Sequence, residues 1–375
     1  MKIGVSFIQY AMMKFLPALF ATTILMNSSA TAQELWMAGP FAKIDPVNPI
    51  LIPFASSMFH CPVRNAGVAW EAKDVFNPAA VVHEGKVVLL YRAQDRIGKP
   101  EGTSRIGIAW SDDGMRFTRG AAPVLYPDND RMKTYEWEGG CEDPRIVKNE
   151  AGGYVMTYTA YDGKLARLAV ATSDDLKHWT KHGLAFGAAD SGRYADVWSK
   201  SGSIVARWVG GTPQAVRIKG SYWMYWGESD LFLATSKDLI HWVPVRQPDG
   251  TFLSVLRPRR GSFDSRLVEP GPPAILTDDG IRLIYNSCND AVHGDTALPS
   301  GTYAAGQALF AADDPARLLK RSSTYFFKPE RPFEITGQVN NVCFLEGLVF
   351  FKGAWLLYYG TADSRIAVAE CKDPR

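Results

Sequence analysis

The chain has 375 residues, of which 46% are hydrophobic, 12% aromatic and 21% charged, the profile of a globular protein with ample material for a large core. Lysine plus arginine (41) nearly balances aspartate plus glutamate (39), giving a formal charge of +2, which excludes the basic field that nucleic-acid binding needs. The aromatic set of Trp 11, Tyr 15 and Phe 19 suits β structure and, outside the core, stacking against sugar rings.

Residues 1–32 read as a secretory signal. Lys2 and Lys14 supply positive charge, Phe15 to Ala21 and Ile24 to Met26 form an apolar segment, and Ala30-Thr31-Ala32 predicts cleavage before Gln33. Thr22 and Thr23 interrupt an apolar run already too short to span a bilayer. The expectation is an exported protein, periplasmic or secreted, without membrane insertion after cleavage, and a single domain over residues 33–375. Cys61, Cys141, Cys288, Cys343 and Cys371 are too scattered for a disulfide framework, and their odd number leaves a free thiol. No Cys/His spacing argues for zinc, and neither a metal nor another cofactor is expected. Cys141, beside Glu142, reads as a buried inert thiol.

After a Pro-rich lead-in from Gly39 to Pro62, a strand-rich unit recurs. The first copy runs Asn77 to Val82, a turn at Gly85, Val87 to Arg92, Ile106 to Trp110, and a turn from Ser111 closed by Phe117. The second takes Glu142 to Ile146, Tyr154 to Tyr158, Ala166 to Thr172, and a turn from Ser173 to Trp179. A third begins at Pro213, continues through Tyr222 to Glu228 and Leu231 to Thr235, and ends in Ser236 to Trp242. Ser111, Ser173 and Ser236 recur at nearly equal intervals. A fourth copy starts at Glu269-Pro270-Gly271 and a fifth spans Val342 to Ala369. Five four-stranded units of this kind predict an all-β, five-bladed β-propeller.

In such a ring the first strand of each unit lines the central channel. The axis-facing candidates are therefore Asn77, Glu142 with Asp143 and Arg145, the Ser201-Gly202-Ser203 and Gln214 region, Glu269, and Asn340 with Asn341; Glu228 reaches the mouth from the end of a second strand. Within Trp137 to Ile146 two adjacent carboxylates precede a proline and an arginine at the mouth of a strand, a rigid place for chemistry. An isolated Glu-Asp-Pro-Arg is more often a solvated turn. Here three blades send carboxylates into one cavity, which forces their pKa values apart and points to acid/base work.

These residues carry a resemblance. Gly140-Cys141-Glu142-Asp143-Pro144-Arg145, Asn77-Pro78-Ala79, Tyr91-Arg92-Ala93, Ser201-Gly202-Ser203 and Gly271-Pro272-Pro273 resemble glycoside hydrolase family 130, the five-bladed mannoside phosphorylases and β-mannosidases, over nearly all of the expected mature chain. The resemblance implies that Asp143 is the catalytic acid, acting through a sugar hydroxyl. Phosphorolytic members hold phosphate with Lys, His, Arg and Tyr, whereas the corresponding stretches here read Trp226-Gly227-Glu228-Ser229 and Leu267-Val268-Glu269-Pro270. Paired glutamates repel phosphate and suit activation of water. The departure resembles the hydrolytic subgroup that cleaves β-1,2-mannosides with inversion, using Asp143, Glu228 and Glu269 on a mannose-containing oligosaccharide. Which glutamate is the base stays open.

Arg92 and Arg145 are expected to hold sugar hydroxyls, to orient Asp143, or to form a structural ion pair. Asp95 resembles a family contact to mannose, and Glu142 and Ser203 complete the expected substrate-binding set. Asp196 and Lys200 read as solvated rim charges, His178, Trp179, His241 and Trp242 as structural turn residues, and Trp137 as core rather than stacking platform. The loops 249–263 and 289–302 are expected to set linkage preference. Three alternatives stand beside hydrolysis: a phosphorylase yielding mannose 1-phosphate, another five-bladed glycosidase acting on arabinans or fructans, and a sugar-binding propeller without catalysis.

Overall fold

The computed structural model describes Met1 and residues 36–372, so the expected signal segment beyond Met1 lies outside the described residues. Runs rich in β-branched and aromatic residues form strands because such side chains fit a pleated, largely buried surface. Blade 1 comprises Asp74–His83, Lys86–Gln94, Ser104–Ser111 and Thr118–Arg119. Blade 2 comprises Gly140–Lys148, Tyr154–Tyr161, Ala166–Ser173 and Thr180–Leu184. In blade 3 the strands are Ser203–Val209, Tyr222–Trp226, Leu231–Ser236 and Trp242–Pro244. Blade 4 has an inner strand broken into Leu267–Pro270 and Ala274–Thr277, followed by Gly280–Cys288, Tyr303–Ala311 and Asp314–Arg321. Blade 5 takes Cys343–Phe351, Ala354–Thr361 and Arg365–Cys371, while its fourth strand, Ala42–Lys43, comes from near the other end of the described chain. That last antiparallel pairing, Ala42 with Glu370 and Lys43 with Ala369, closes the five-bladed β-propeller. Five apolar clusters fill the five blade interfaces; where the ring closes, Val75, Leu89 and Tyr91 of blade 1 meet Val349, Leu356 and Tyr358 of blade 5.

The repeat has a physical purpose at two positions. The serine that opens the outer turn of blades 1, 2 and 3 accepts a backbone N–H three residues on: Gly114 to Ser111 at 2.8 Å, Leu176 to Ser173 at 2.8 Å and Leu239 to Ser236 at 2.9 Å, an ST-type turn that needs a hydroxyl there. The tyrosine of the second strand donates to a buried acid that also meets a base from the outermost strand. Tyr91 donates to Glu71 at 3.0 Å and Arg119 sits 2.7 Å away; Tyr158 meets Glu136 at 2.8 Å beside Lys181 at 2.5 Å. Tyr285 and Arg321 share Asp264 at 2.9 and 2.5 Å, and Tyr359 shares Glu334 at 2.9 Å with Lys43 at 2.7 Å. Blade 3 replaces the device with aromatics: Trp226 occupies the tyrosine position and packs on Phe186, Phe232 and Phe252.

The third unit corrects the sequence reading. Its inner strand is Ser203–Val209, and Pro213 and Gln214 lie on the return strand Thr212–Ala215 of a hairpin. Gly210 and Gly211 turn it at φ 59° and 83°, values open to glycine without cost. The tip crosses the axis: Thr212 Oγ1 donates to Val82 O at 2.8 Å, and Phe350 N–H donates to Gly211 O at 3.2 Å. Val82 and Phe350 stand near the C-terminal ends of their inner strands, so the hairpin covers that end of the channel and leaves the N-terminal ends for a site. There the inner strands bulge, with register shifts between Phe76 and Pro78, Glu142 and Arg145, and Leu345 and Gly347. A bulge re-aims the extra residue, here Asn77, Asp143 and Glu346; Asn77 and Asp143 both have φ 48°.

Candidate active site

Asp143 stands on the blade 2 bulge, and its neighbours reach it from three directions. Asn77 Nδ2 donates to Oδ1 at 2.9 Å, Arg92 Nη1 donates to the same oxygen at 3.2 Å, and Lys200 Nζ lies 3.9 Å from Oδ2. Gly360 makes room for this arrangement, because a Cβ there would collide with Asn77 Oδ1. Burial works to raise the Asp143 pKa, but Arg92, Lys200 and the Asn77 amide overcome it and hold the carboxyl at about 2. Arg92 also donates to Glu142 Oε1 at 2.6 Å while its guanidinium covers the Phe76 ring. Burial raises the Glu142 pKa above the ordinary glutamate value.

Across the channel, Glu269 stands on the first segment of the broken blade 4 strand, where Ser201 Oγ donates to it. Burial pushes its pKa up to about 7, with Lys200, Arg145 and Ser201 opposing and Glu228 reinforcing. Glu228 follows the second strand of blade 3, takes a hydrogen bond from Trp198 Nε1 at 2.8 Å, and lies 3.3 Å from Lys200 Nζ. Lys200 is thus the shared cation. Burial acts to lower its pKa, yet Asp143, Glu269, Glu228 and Glu142 raise it above the usual lysine range.

A cavity of about 130 Å³ gathers Asn77, Arg92, Asp143, Lys200, Glu228 and Glu269, with Asp363, Tyr303 and an apolar edge of Val339, Val342 and Phe344. Two cations face four carboxyls, so the pocket carries an excess of acidic groups. A second cavity of about 380 Å³ shares Arg92 and Lys200 and adds Glu142, Tyr161 and Trp198; Trp198 is 45% exposed. Among the described residues no three His, Cys, Asp or Glu side chains converge to hold a metal ion.

The structure places the remaining sequence candidates elsewhere. Asp95 is turned into its own loop, paired with Arg105 at 2.8 Å and bonded to the Ile97, Gly98 and Thr103 N–H groups. Ser203 donates to Pro272 O at 2.8 Å and ties blade 3 to blade 4. Arg145 lies under the pocket floor, donating to Pro270 O at 2.7 Å and Gly271 O at 2.8 Å and pairing with Glu346 at 3.0 Å. It fastens the Asp143 strand to the backbone that follows Glu269. Asn340 is exposed and neither it nor Asn341 lines the cavity. Of the two rim charges, Asp196 is 79% exposed and pairs with Arg167, as a solvated charge does, but Lys200 sits at the centre of the site. Lys200 and Asp363 are the residues that sequence reasoning missed. Lys200 directly precedes Ser201-Gly202-Ser203, which was a usable signal.

The family model for glycoside hydrolase family 130, described as beta-1,4-mannooligosaccharide phosphorylase, matches residues 46–373. A 1,2-beta-oligomannan phosphorylase of Thermoanaerobacter sp. (strain X514) is 31% identical over 315 residues, covering 81% of this chain and 92% of the relative. The crystal structure of a glycosyl hydrolase from Bacteroides ovatus is 48% identical with a TM-score of 0.88, covering 91% of this chain and 96% of that one. A further solved structure, 47% identical with a TM-score of 0.88 over 91% of this chain and 98% of its own, is described thus: "The GH130 family of mannoside phosphorylases contains glycoside hydrolases that target beta-1,2 mannosidic linkages in Candida mannan". By the extent of the family match, and by identity above 30% along most of the chain, the protein belongs to glycoside hydrolase family 130.

Proposed function

We propose that the protein is an exported, inverting β-mannosidase that releases mannose from β-1,2-linked manno-oligosaccharides. The observation that carries the reading is the pair Glu228 and Glu269 facing Asp143 across one cavity. An attacking phosphate would have to enter beside both glutamates, while a water molecule there meets two acceptors. The 47% identical structure described with hydrolases of β-1,2-mannosidic linkages supports the linkage. The basic and apolar pattern of residues 1–32 supports export, with a mature chain starting at Gln33 as the mass-spectrometric check.

In this mechanism the mannosyl ring occupies the smaller cavity and the leaving sugar the larger one, against Trp198 and Tyr161. Asp143 protonates the departing oxygen and Glu269, with Glu228, takes the proton of the incoming water. The resting charges oppose that assignment: a carboxyl with a pKa of about 2 carries its proton in only about one molecule in 10⁵ at pH 7, a deficit of roughly 7 kcal/mol. Sugar binding has to reverse it. A ring seated between Lys200 and Asp143, now 3.9 Å apart, separates Asp143 from one of its two cations and raises its pKa at the moment of use.

The second reading, phosphorolysis, is favoured by those same cations, Arg92 and Lys200, which could bind an oxyanion, and by the phosphorylase among the relatives. Incubation with β-1,2-mannobiose in phosphate-free buffer separates the two. Hydrolysis releases two mannoses, the new anomer first appearing as α by NMR. Product formation that strictly requires phosphate and yields mannose 1-phosphate refutes the proposal.

A further inference from the structure

Trp198 is the one exposed tryptophan among the described residues, and a loose loop does not account for its exposure. The residues that follow it are tied down. Ser199 N–H donates to Ala166 O at 3.0 Å, Ser199 Oγ accepts the Leu168 N–H at 3.0 Å, and Gly227 N–H donates to Lys200 O at 3.0 Å. On this fixed backbone the indole lines the larger cavity with Tyr161 and Pro100. Its Nε1–H donates to Glu228 Oε1 at 2.8 Å, and Glu228 belongs to the smaller cavity. One side chain therefore offers a flat apolar ring to the place of the leaving sugar and a hydrogen-bond donor to a carboxylate of the reacting site.

Glu228 depends on such a donor. It lies beyond the end of the Tyr222–Trp226 strand, with 28% of its side chain exposed. Its backbone is placed by its neighbours: Gly227 turns at φ 119°, and Ser229 O accepts the Val268 N–H at 3.1 Å, which sets Glu228 alongside Glu269. Its carboxylate has one partner for each oxygen, Trp198 at Oε1 and Lys200 3.3 Å from Oε2. The lysine is shared, since it also lies 3.9 Å from Asp143 Oδ2. An ammonium is a point charge with three rotatable donors on a flexible stem and does not fix the plane of a carboxylate. An indole N–H is a single donor in the plane of a rigid ring, and it does.

We infer that Trp198 is a positioning residue: its Nε1–H holds Glu228 in the orientation in which the carboxylate engages the attacking water, so that filling the leaving-sugar site and aiming the base depend on one side chain. The inference rests on the proposed reading of Glu228 and Glu269 as the groups that activate water. A sugar stacked on the indole restricts the ring, and through it the carboxylate. Binding of a part of the substrate that does not react is thereby converted into orientation of the groups that do. The size of the effect follows from the bond lost, since a hydrogen bond to a charged group corresponds to about ten- to a hundredfold in an equilibrium.

The test uses the mature protein with Trp198→Phe, which keeps a stacking ring and drops the donor, and Trp198→Ala, which drops both, each checked for an unchanged thermal midpoint. The substrate that separates the two roles is β-mannosyl fluoride in phosphate-free buffer. The oxygen of water bonds to the anomeric carbon as the C–F bond breaks, fluoride leaves with the bonding pair, and the proton of water passes to the glutamate pair. Hydrolysis of the fluoride thus needs the base but neither a leaving sugar nor a proton from Asp143. The expected result is a fall of about tenfold or more in kcat for fluoride release in Trp198→Phe, and the same fall in Trp198→Ala, with KM within about threefold of wild type in both. On β-1,2-mannobiose Trp198→Phe shows that loss in kcat again, and only Trp198→Ala adds a rise in KM. A kcat for fluoride release within about threefold of wild type in Trp198→Phe overturns the inference and leaves the indole a stacking platform only. Wild type that consumes either substrate only when phosphate is added overturns the proposed function instead.

Discussion

Replacing Lys200 by methionine tests the electrostatic core of the site. The ammonium lies 3.9 Å from Asp143 Oδ2 with only 18% of the lysine side chain exposed. At an effective dielectric constant of about 20, that separation corresponds to about 4 kcal/mol, or roughly three pKa units. Removing the charge therefore moves Asp143 from about 2 toward about 5 and lifts Glu269 above its value of about 7. Because the acid has the lower pKa and the base the higher, the productive state of the free protein is the one holding a single proton between them. It is lost above the higher pKa, so wild-type kcat/KM is expected to fall as pH rises through about 7. In Lys200→Met that alkaline limb shifts upward, while Lys200→Arg, which keeps the charge, leaves it near the wild-type position. The assay is initial mannose release from β-1,2-mannobiose between pH 4 and pH 10 at constant ionic strength. An unmoved limb in Lys200→Met, or a shift to lower pH, refutes the reasoning.

Asp143→Asn should cost 10²–10⁴-fold in kcat, the range for loss of a general acid, with mannose binding measured by calorimetry nearly unchanged; a variant retaining more than a tenth of wild-type kcat would rule Asp143 out. Lys43→Ala leaves the fully buried Glu334 carboxylate without its ion-pair partner, so thermal or denaturant unfolding should show about 3–5 kcal/mol of destabilisation, well beyond an exposed-pair substitution such as Lys86→Ala. Gly360→Ala drives a methyl group into Asn77 Oδ1; kcat should drop at least tenfold as the Asn77 to Asp143 hydrogen bond is displaced, and a crystal structure with that bond intact would contradict the argument.

The five units were legible in the sequence because their turns and second strands are built from local rules: a serine that must accept an N–H, an aromatic strand that must face a neighbouring sheet. Asn77, Asp143 and Glu269 could be named as one site because inner strands converge on the axis of a propeller, Glu228 because its second strand ends at the channel mouth, and Arg92 through the Tyr91-Arg92-Ala93 resemblance. What could not be read was which copy of a repeated position keeps its structural task. Asp95 and Asp363 occupy the same place in their units, and nothing in either residue says that one is consumed by the Ile97 to Thr103 loop while the other lines the cavity. Loop length decides: the blade 1 connection runs from Gln94 to Ser104 and supplies its own donors, and the blade 5 connection from Thr361 to Arg365 cannot. Lys200 was misjudged for a related reason. A lysine before a strand is solvated by default, and only the convergence of carboxylates from three other segments makes this one the centre of the pocket. In a repeat protein the fold is set by what the copies share, and the site by where a copy lacks the partners its sisters have.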